Sequence, residues 1–148
     1  MKVKQLKINS FRGIRHLTLD FDLNEPTVFI GINGVGKSII LDCFDILLSW
    51  FTARVQNPQG SGSYFNDSDI NNQNKETHNE ITVYLDNLSD ITWSLTKVKK
   101  GYNKDTSSDL TQLRKLVEEI KKQLSINLQS SLPLAVYYPT HRAVLAVP

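Results

Sequence analysis

The sequence contains one cysteine, no long apolar run and little net charge, and each absence excludes a class of protein. A single cysteine excludes an intrachain disulfide framework and is typical of a reducing compartment. No apolar run reaches the roughly 20 residues that a membrane-spanning helix needs. A net charge of +2 is too small to indicate nucleic-acid binding by itself. We therefore expect a cytoplasmic protein with no membrane partner.

The composition is that of an ordinary globular domain. The chain has 148 residues, of which 40% are hydrophobic and 22% are charged, so it can bury a core. Cys43 lies within an apolar stretch, which predicts a buried and inert thiol. The sequence ends in the apolar run AVLAVP at residues 143–148, and domains seldom end in this way. We expect the chain to be part of a longer protein.

The strongest motif is the segment GINGVGKS at residues 31–38, which has the spacing G-x-x-x-x-G-K-S. Residues 27–30 before it read as a short buried strand, and the apolar residues after it read as a helix. In that context the glycines let backbone N–H groups converge on a polyphosphate, and the helix N-terminus adds positive charge. Lys37 can reach the β- and γ-phosphates and Ser38 can ligate Mg²⁺. The alternative is a glycine-rich turn that binds nothing.

The rest of the chain is predicted from its hydrophobic periodicity. Residues 1–55 comprise two antiparallel strands, the loop and its helix. A polar surface loop at 56–79 is followed by a β-hairpin within 80–104 and an amphipathic helix at 108–128. Residues 133–148 begin with an apolar strand. No internal repeat is visible.

The motifs together resemble a known family. Phe11-Arg12-Gly13 precedes a loop of the form G-x-N-G-x-G-K-S, and the following helix contains Ile40-Leu41-Asp42. This resembles the start of an ABC-type ATPase head of the SMC, RecF and OLD kind. Residues 137–142, YYPTHR, are similar to a segment of bacterial ATPases from antiphage and retron-associated systems. The resemblance implies an α/β P-loop NTPase fold with a mixed sheet and an antiparallel β-subdomain, truncated before its second lobe.

The resemblance implies ATP and Mg²⁺ as cofactors, with Ser38 as a Mg²⁺ ligand. The loop then corresponds to the Walker A motif, and we expect the nucleotide to contact Gly31, Asn33, Gly34, Val35, Gly36, Lys37, Ser38 and Ile39. Arg12 matches an arginine that lies near the nucleotide in these heads. It would place its guanidinium against a phosphate or the base, the alternative being a solvated turn residue.

The catalytic residues are less evident. Thr140, His141 and Arg142 stand where the family has its Q-loop, but without the usual glutamine. His141 is either an active group or a surface or packing residue. No signature motif, Walker B pair or switch histidine follows. Asp86 ends a Walker B-like stretch that reads better as a hairpin strand, and Asp67 and Asp69 are weaker Mg²⁺ candidates.

The resemblance implies that the intact protein hydrolyses ATP to drive dimerisation of two heads. We expect DNA-related work in repair or phage defence, with DNA and a nuclease as possible partners. One alternative is a self-contained small P-loop kinase, although Arg54, Arg114 and Arg142 are scattered. Another is a nucleic-acid-binding module that uses lysines around the hairpin, which equally serve solubility: Lys97, Lys99, Lys100 and Lys104.

Overall fold

The structure, a computed structural model, describes residues 1–85, 89–126, 133 and 135–137. In this part of the chain, two pairs of strands are each followed by a helix. The elements in chain order are β1 (Lys2–Phe11), β2 (Ile14–Asp20), α1 (Lys37–Gln56), a 3₁₀ turn (Asp67–Asp69), β3 (Glu76–Tyr84), β4 (Ile91–Val98) and α2 (Thr111–Ile126).

The four strands form one antiparallel sheet in the order β2-β1-β3-β4. Alternation explains its two faces, because every second residue of β3 is buried, from Thr77 to Val83. The expected mixed sheet also requires parallel strands, and the described residues contain none. The antiparallel subdomain therefore accounts for all the sheet in the described part of the chain.

A β-bulge at Lys4 sets the register of β1. Val3 pairs with Val83 and Gln5 pairs with Thr82, so Lys4 is an extra residue in β1. The extra residue shifts the alternation by one position, because side chains point to opposite faces with a period of two. Leu6 beyond the bulge is therefore fully buried on the inner face.

Helices α1 and α2 lie against the inner face of this sheet and contact each other. In α1 the residues Cys43, Leu47 and Trp50 point inward, and Trp93 of β4 meets them from the sheet. None of the helices in the described ranges combines the length and apolar character needed to cross a bilayer. The buried core consists of Leu6, Ile8, Phe11, Cys43, Leu47, Trp50, Phe51, Phe65, Ile81, Val83, Trp93, Leu95, Leu113, Leu116, Val117 and Ile120.

The segment at 57–75 is packed against the domain, unlike the surface loop that its composition predicted. Phe65 and Ile70 are almost completely buried, and Phe65 contacts Phe11 edge to face. Trp50 of α1 donates its indole N–H to the Ser63 carbonyl oxygen at 2.8 Å. Gly62 lies so close to α1 that a Cβ there would be 2.5 Å from the backbone nitrogen of Trp50. The sparse apolar residues of this segment therefore serve as anchors.

Residues 27–30 do not form the predicted buried strand. The side chains of Val28 and Ile30 are 74% and 92% exposed, and these residues pair with no strand in the described part of the chain. A strand buried on both faces needs hydrogen-bonding neighbours and covering helices. No described residue supplies them, so this prediction is wrong for the structure as described.

Candidate functional site: a phosphate-binding loop

The loop at residues 31–38 requires glycine at two positions. Gly34 has φ 86° and Gly36 has φ 104°, both in the left-handed region that other residues rarely adopt. A Cβ at either position would meet no heavy atom within 4 Å, so backbone conformation and not crowding selects glycine. Helix α1 begins at Lys37, directly after the second of these residues.

The N-terminus of α1 offers unpaired backbone N–H groups. Among the described residues, no acceptor is bonded to the N–H of Gly36, Lys37 or Ser38, and the first backbone bond of this turn runs from Ile40 to Gly36 at 3.1 Å. No side chain caps the helix, and its first turn contains no acidic residue. Unpaired N–H groups and the helix dipole together favour an anion at this position.

Lys37 folds back over the loop. Its Nζ donates hydrogen bonds to the carbonyl oxygens of Gly31 at 2.6 Å and Ile32 at 2.8 Å. The ammonium group is therefore held at the mouth of the loop by neutral carbonyls, which an anion can replace without breaking an ion pair. Ser38, the following residue, is exposed.

The remaining loop residues have structural surroundings of their own. Asn33 is exposed in the turn, and Val35 is 61% exposed while one methyl group lies close to Gly31. Ile39 faces Gly13 of the β1–β2 turn, where an added Cβ would be 3.8 Å from its Cδ1 atom. The loop and the β1–β2 turn are thus neighbours.

Arg12 lies in that turn with φ 49° and is fixed by its backbone and side chain. The Arg12 backbone N–H donates to the Asp69 carbonyl oxygen at 2.7 Å. The Asn71 side-chain amide donates to the Arg12 carbonyl oxygen at 2.7 Å. The Arg12 Nε donates to Asp69 Oδ1 at 2.8 Å, and its Nη1 donates to Asp42 Oδ2. Arg12 is therefore held between two carboxylates and is not a solvated turn residue.

Asp42 of α1 binds a second partner. The Tyr137 hydroxyl donates to its Oδ1 atom at 2.5 Å. This hydrogen bond, helped by burial, raises the pKa of Tyr137 to about 12. In the sequence, Asp42 and Tyr137 belong to two separate motifs of the family resemblance, and their separation of 95 residues gives no local signal that they are in contact.

Asp69 supports the turn and is not arranged as a metal ligand. Its side chain is almost buried, and its two oxygens accept from Arg12 and from the Asn66 N–H at 2.8 Å. Asp67 is paired with Lys97 at 2.9 Å. Within the described ranges no three acidic, histidine or cysteine side chains group as metal ligands. Asp86, Thr140, His141 and Arg142 lie outside the described residues.

Two of the four lysines named for nucleic-acid binding bond within the chain. Besides the Lys97–Asp67 pair, Lys99 donates to the Asn74 carbonyl oxygen at 2.7 Å. Lys104 is exposed. Cys43 is fully buried, and burial raises the pKa of its thiol, which matches the inert thiol predicted from sequence.

Comparison with known proteins identifies the family. A family model described as an AAA domain matches residues 5–145. The chain is 24% identical over 147 residues to the Retron Vc95 probable ATPase of Vibrio cholerae serotype O1 biovar El Tor. It is 23% identical over 145 residues to the Retron Ec83 probable ATPase of Escherichia coli. Each alignment covers 97% of this chain, but only 29% and 26% of the respective relative.

A solved structure from work on ATP-driven dimerisation and DNA-stimulated activation of SMC ATPases is similar, with a TM-score of 0.49 and 14% identity. The similarity covers 82% of this chain and 78% of that one. The chain spans less than a third of the length of the curated relatives it matches. The resemblance to retron-associated ATPases that the sequence suggested is confirmed, and the chain belongs to the AAA-domain family of P-loop NTPases.

Proposed function

We propose that this chain is the nucleotide-binding part of an ATPase, and that the loop at 31–38 binds ATP with Mg²⁺. The observation that carries the proposal is that the N–H groups from Gly36 to Ser38 are unpaired among the described residues, in the same loop where the Lys37 ammonium is held by the Gly31 carbonyl oxygen. Backbone amides approach a phosphate closely, and a helix N-terminus stabilises its negative charge. Ser38 would ligate the Mg²⁺ that bridges the terminal phosphates.

The proposed contacts extend along the whole loop. Besides the amides and Lys37, we propose that the turn at Asn33 and the flanking Val35 and Ile39 line the nucleotide. Arg12 would face a phosphate or the base, which requires a change of partner because two carboxylates now hold it. What supports the contact is the proximity of the β1–β2 turn to the start of α1.

The activity of the intact protein is part of the same proposal. ATP would clamp two such heads into a dimer, and hydrolysis would release them to do work on DNA in repair or phage defence. The support comes from the family and from relatives that are named as retron probable ATPases. Phosphate loops position ATP but do not activate water, so the catalytic base must come from another residue. We propose a cytoplasmic location, as expected from the single cysteine.

Isothermal titration calorimetry with ATP and Mg²⁺ tests the binding step. The purified protein is expected to release heat, and Lys37→Ala is expected to reduce affinity by about tenfold or more because the phosphates lose a charge-assisted contact. Lys104→Ala removes an exposed lysine outside the loop and serves as the matched control. Equal binding by the wild type and Lys37→Ala would refute the proposal.

A further inference from the structure

The carboxylate of Asp42 joins three separate parts of the chain. One oxygen accepts from Arg12 of the β1–β2 turn, and the other accepts from the Tyr137 hydroxyl at 2.5 Å. Asp42 itself belongs to α1, whose first residue is Lys37. Thus a single side chain connects the helix of the phosphate-binding loop to a turn on one side and to residues 135–137 on the other.

The position of Asp42 in α1 couples it mechanically to the loop. It lies five residues after Lys37, which is about 7.5 Å along the helix axis at 1.5 Å per residue. A helix transmits a small displacement of its first turn to the next turn because the intervening backbone is hydrogen-bonded. Both bonds to Asp42 involve a charged group, and such bonds are shorter and stronger than neutral ones.

A second carboxylate near Tyr137, that of Asp45, allows the role of Asp42 to be separated from the effect of negative charge alone. Asp45, one turn further along α1, lines a cavity of about 360 Å³ together with Tyr137. Asp45 makes no hydrogen bond to Tyr137 in the described structure, whereas Asp42 does. Burial and the nearby Asp42 raise the pKa of Asp45. The chain thus offers two neighbouring carboxylates, of which one holds the tyrosine.

We propose that Asp42 is a positioning residue for nucleotide binding, which transmits occupancy of the phosphate-binding loop to residues 135–137 through its hydrogen bond with Tyr137. The inference rests on the proposed function, because it requires ATP at the loop. Asp42 does not touch the nucleotide. It holds Tyr137 in a fixed position relative to α1, so ordering of the loop also orders the segment that carries Tyr137.

Hydrogen–deuterium exchange of the purified protein with and without ATP and Mg²⁺ tests this inference. In the wild type, ATP is expected to slow exchange of the backbone amides at 135–137 by about fivefold or more, a typical size for coupling between sites. Asp42→Asn weakens the connecting bond and Tyr137→Phe removes it, so both variants are expected to lose most of this slowing. Asp45→Asn removes a neighbouring charge but leaves the Asp42–Tyr137 bond in place, so this variant is expected to retain the slowing of exchange.

Calorimetry on the same samples separates the two proposals. Suppose that the wild type and both variants release heat with ATP, and that ATP slows amide exchange at 135–137 by the same factor in all three. The role of Asp42 is then refuted, while ATP binding stands. The role of Asp42 is also refuted if the wild type releases heat with ATP but amide exchange at 135–137 does not slow. If the wild type releases no heat, the proposed function fails and this inference falls with it. Should Asp42→Asn not fold, Tyr137→Phe alone decides, because it removes only the hydroxyl of a partly exposed side chain.

Discussion

Trp93 donates its indole N–H to the carbonyl oxygen of Leu47 at 2.9 Å, and this bond joins β4 to the middle of α1. Both residues are almost fully buried, so the donor has no access to solvent. The bond satisfies a polar atom that would otherwise be buried without a partner. It therefore fixes α1, which follows the loop at 31–38, against the sheet.

Replacing Trp93 with phenylalanine tests the strength of this attachment. The change removes the hydrogen bond and leaves a cavity, so we expect the free energy of unfolding to fall by about 1–3 kcal/mol. Urea denaturation followed by circular dichroism measures it. Tyr102→Phe, at a side chain that is 61% exposed, is the control and should change stability by less than about 0.5 kcal/mol. Equal effects of the two substitutions would contradict the packing described here.

The contact of Gly62 with α1 predicts that even one methyl group is harmful there. A Cβ at Gly62 would lie 2.5 Å from the backbone nitrogen of Trp50 and 2.5 Å from Ser49 Oγ, so either the loop or the helix must move. We expect Gly62→Ala to lower the free energy of unfolding by about 1–3 kcal/mol. Gly13→Ala has room for its methyl group at 3.8 Å from Ile39 and should be tolerated better. Thermal denaturation of both variants compares them, and equal stabilities would argue for a loosely attached loop.

The two left-handed glycines of the loop predict an effect on ATP affinity. The Gly36→Ala variant must either hold alanine at φ 104°, at a strain of about 1–2 kcal/mol, or change the conformation of the loop. A changed loop misdirects its amides, so we expect the affinity for ATP to fall about tenfold. Gly101→Ala provides a matched control, because that residue has φ 89° outside the loop. It should cost similar stability without changing ATP affinity. Comparable affinity losses in both variants would assign the effect to general destabilisation.

The Tyr137–Asp42 bond predicts a dependence of stability on high pH. The pKa of Tyr137 is raised from 10 to about 12 in the folded protein. Because the folded pKa exceeds the unfolded value, the stabilisation is complete below pH 10 and is lost as the pH rises towards 12. Ultraviolet absorbance should detect one tyrosine that ionises late in the folded wild type. Tyr137→Phe should remove that late step, and its persistence would assign the shifted pKa to another tyrosine.

Local patterns in the sequence predicted much of the fold. The alternation of Ile81 and Val83 indicated β3, because a half-buried strand repeats its environment every second residue. The candidate phosphate-binding loop is also a local pattern, since its glycines, Lys37 and Ser38 lie within eight consecutive residues. The structure retains these features with modest changes in the ends of the elements. Periodicity and contiguous motifs are local properties, so a single sequence displays them.

Long-range contacts were not predictable in this way. Arg12 meets Asp69 across 57 residues and Asp42 across 30, and no local pattern pairs a turn arginine with either acid. Likewise, the polar composition at 57–75 concealed the anchoring role of Phe65 and Ile70. The exposed Val28 and Ile30 show the opposite error, because apolar residues indicate burial only where a partner surface exists.

We propose above that the backbone amides of the loop hold the phosphates of ATP, and nuclear magnetic resonance of the ¹⁵N-labelled protein tests this most directly. Titration with ATP and Mg²⁺ should shift the amide signals of Gly34, Gly36, Lys37 and Ser38 most strongly, since hydrogen bonding to a charged acceptor moves the signal of the donor. Small shifts in these four signals at a concentration of ATP that saturates binding, with the largest shifts elsewhere, would contradict the claim.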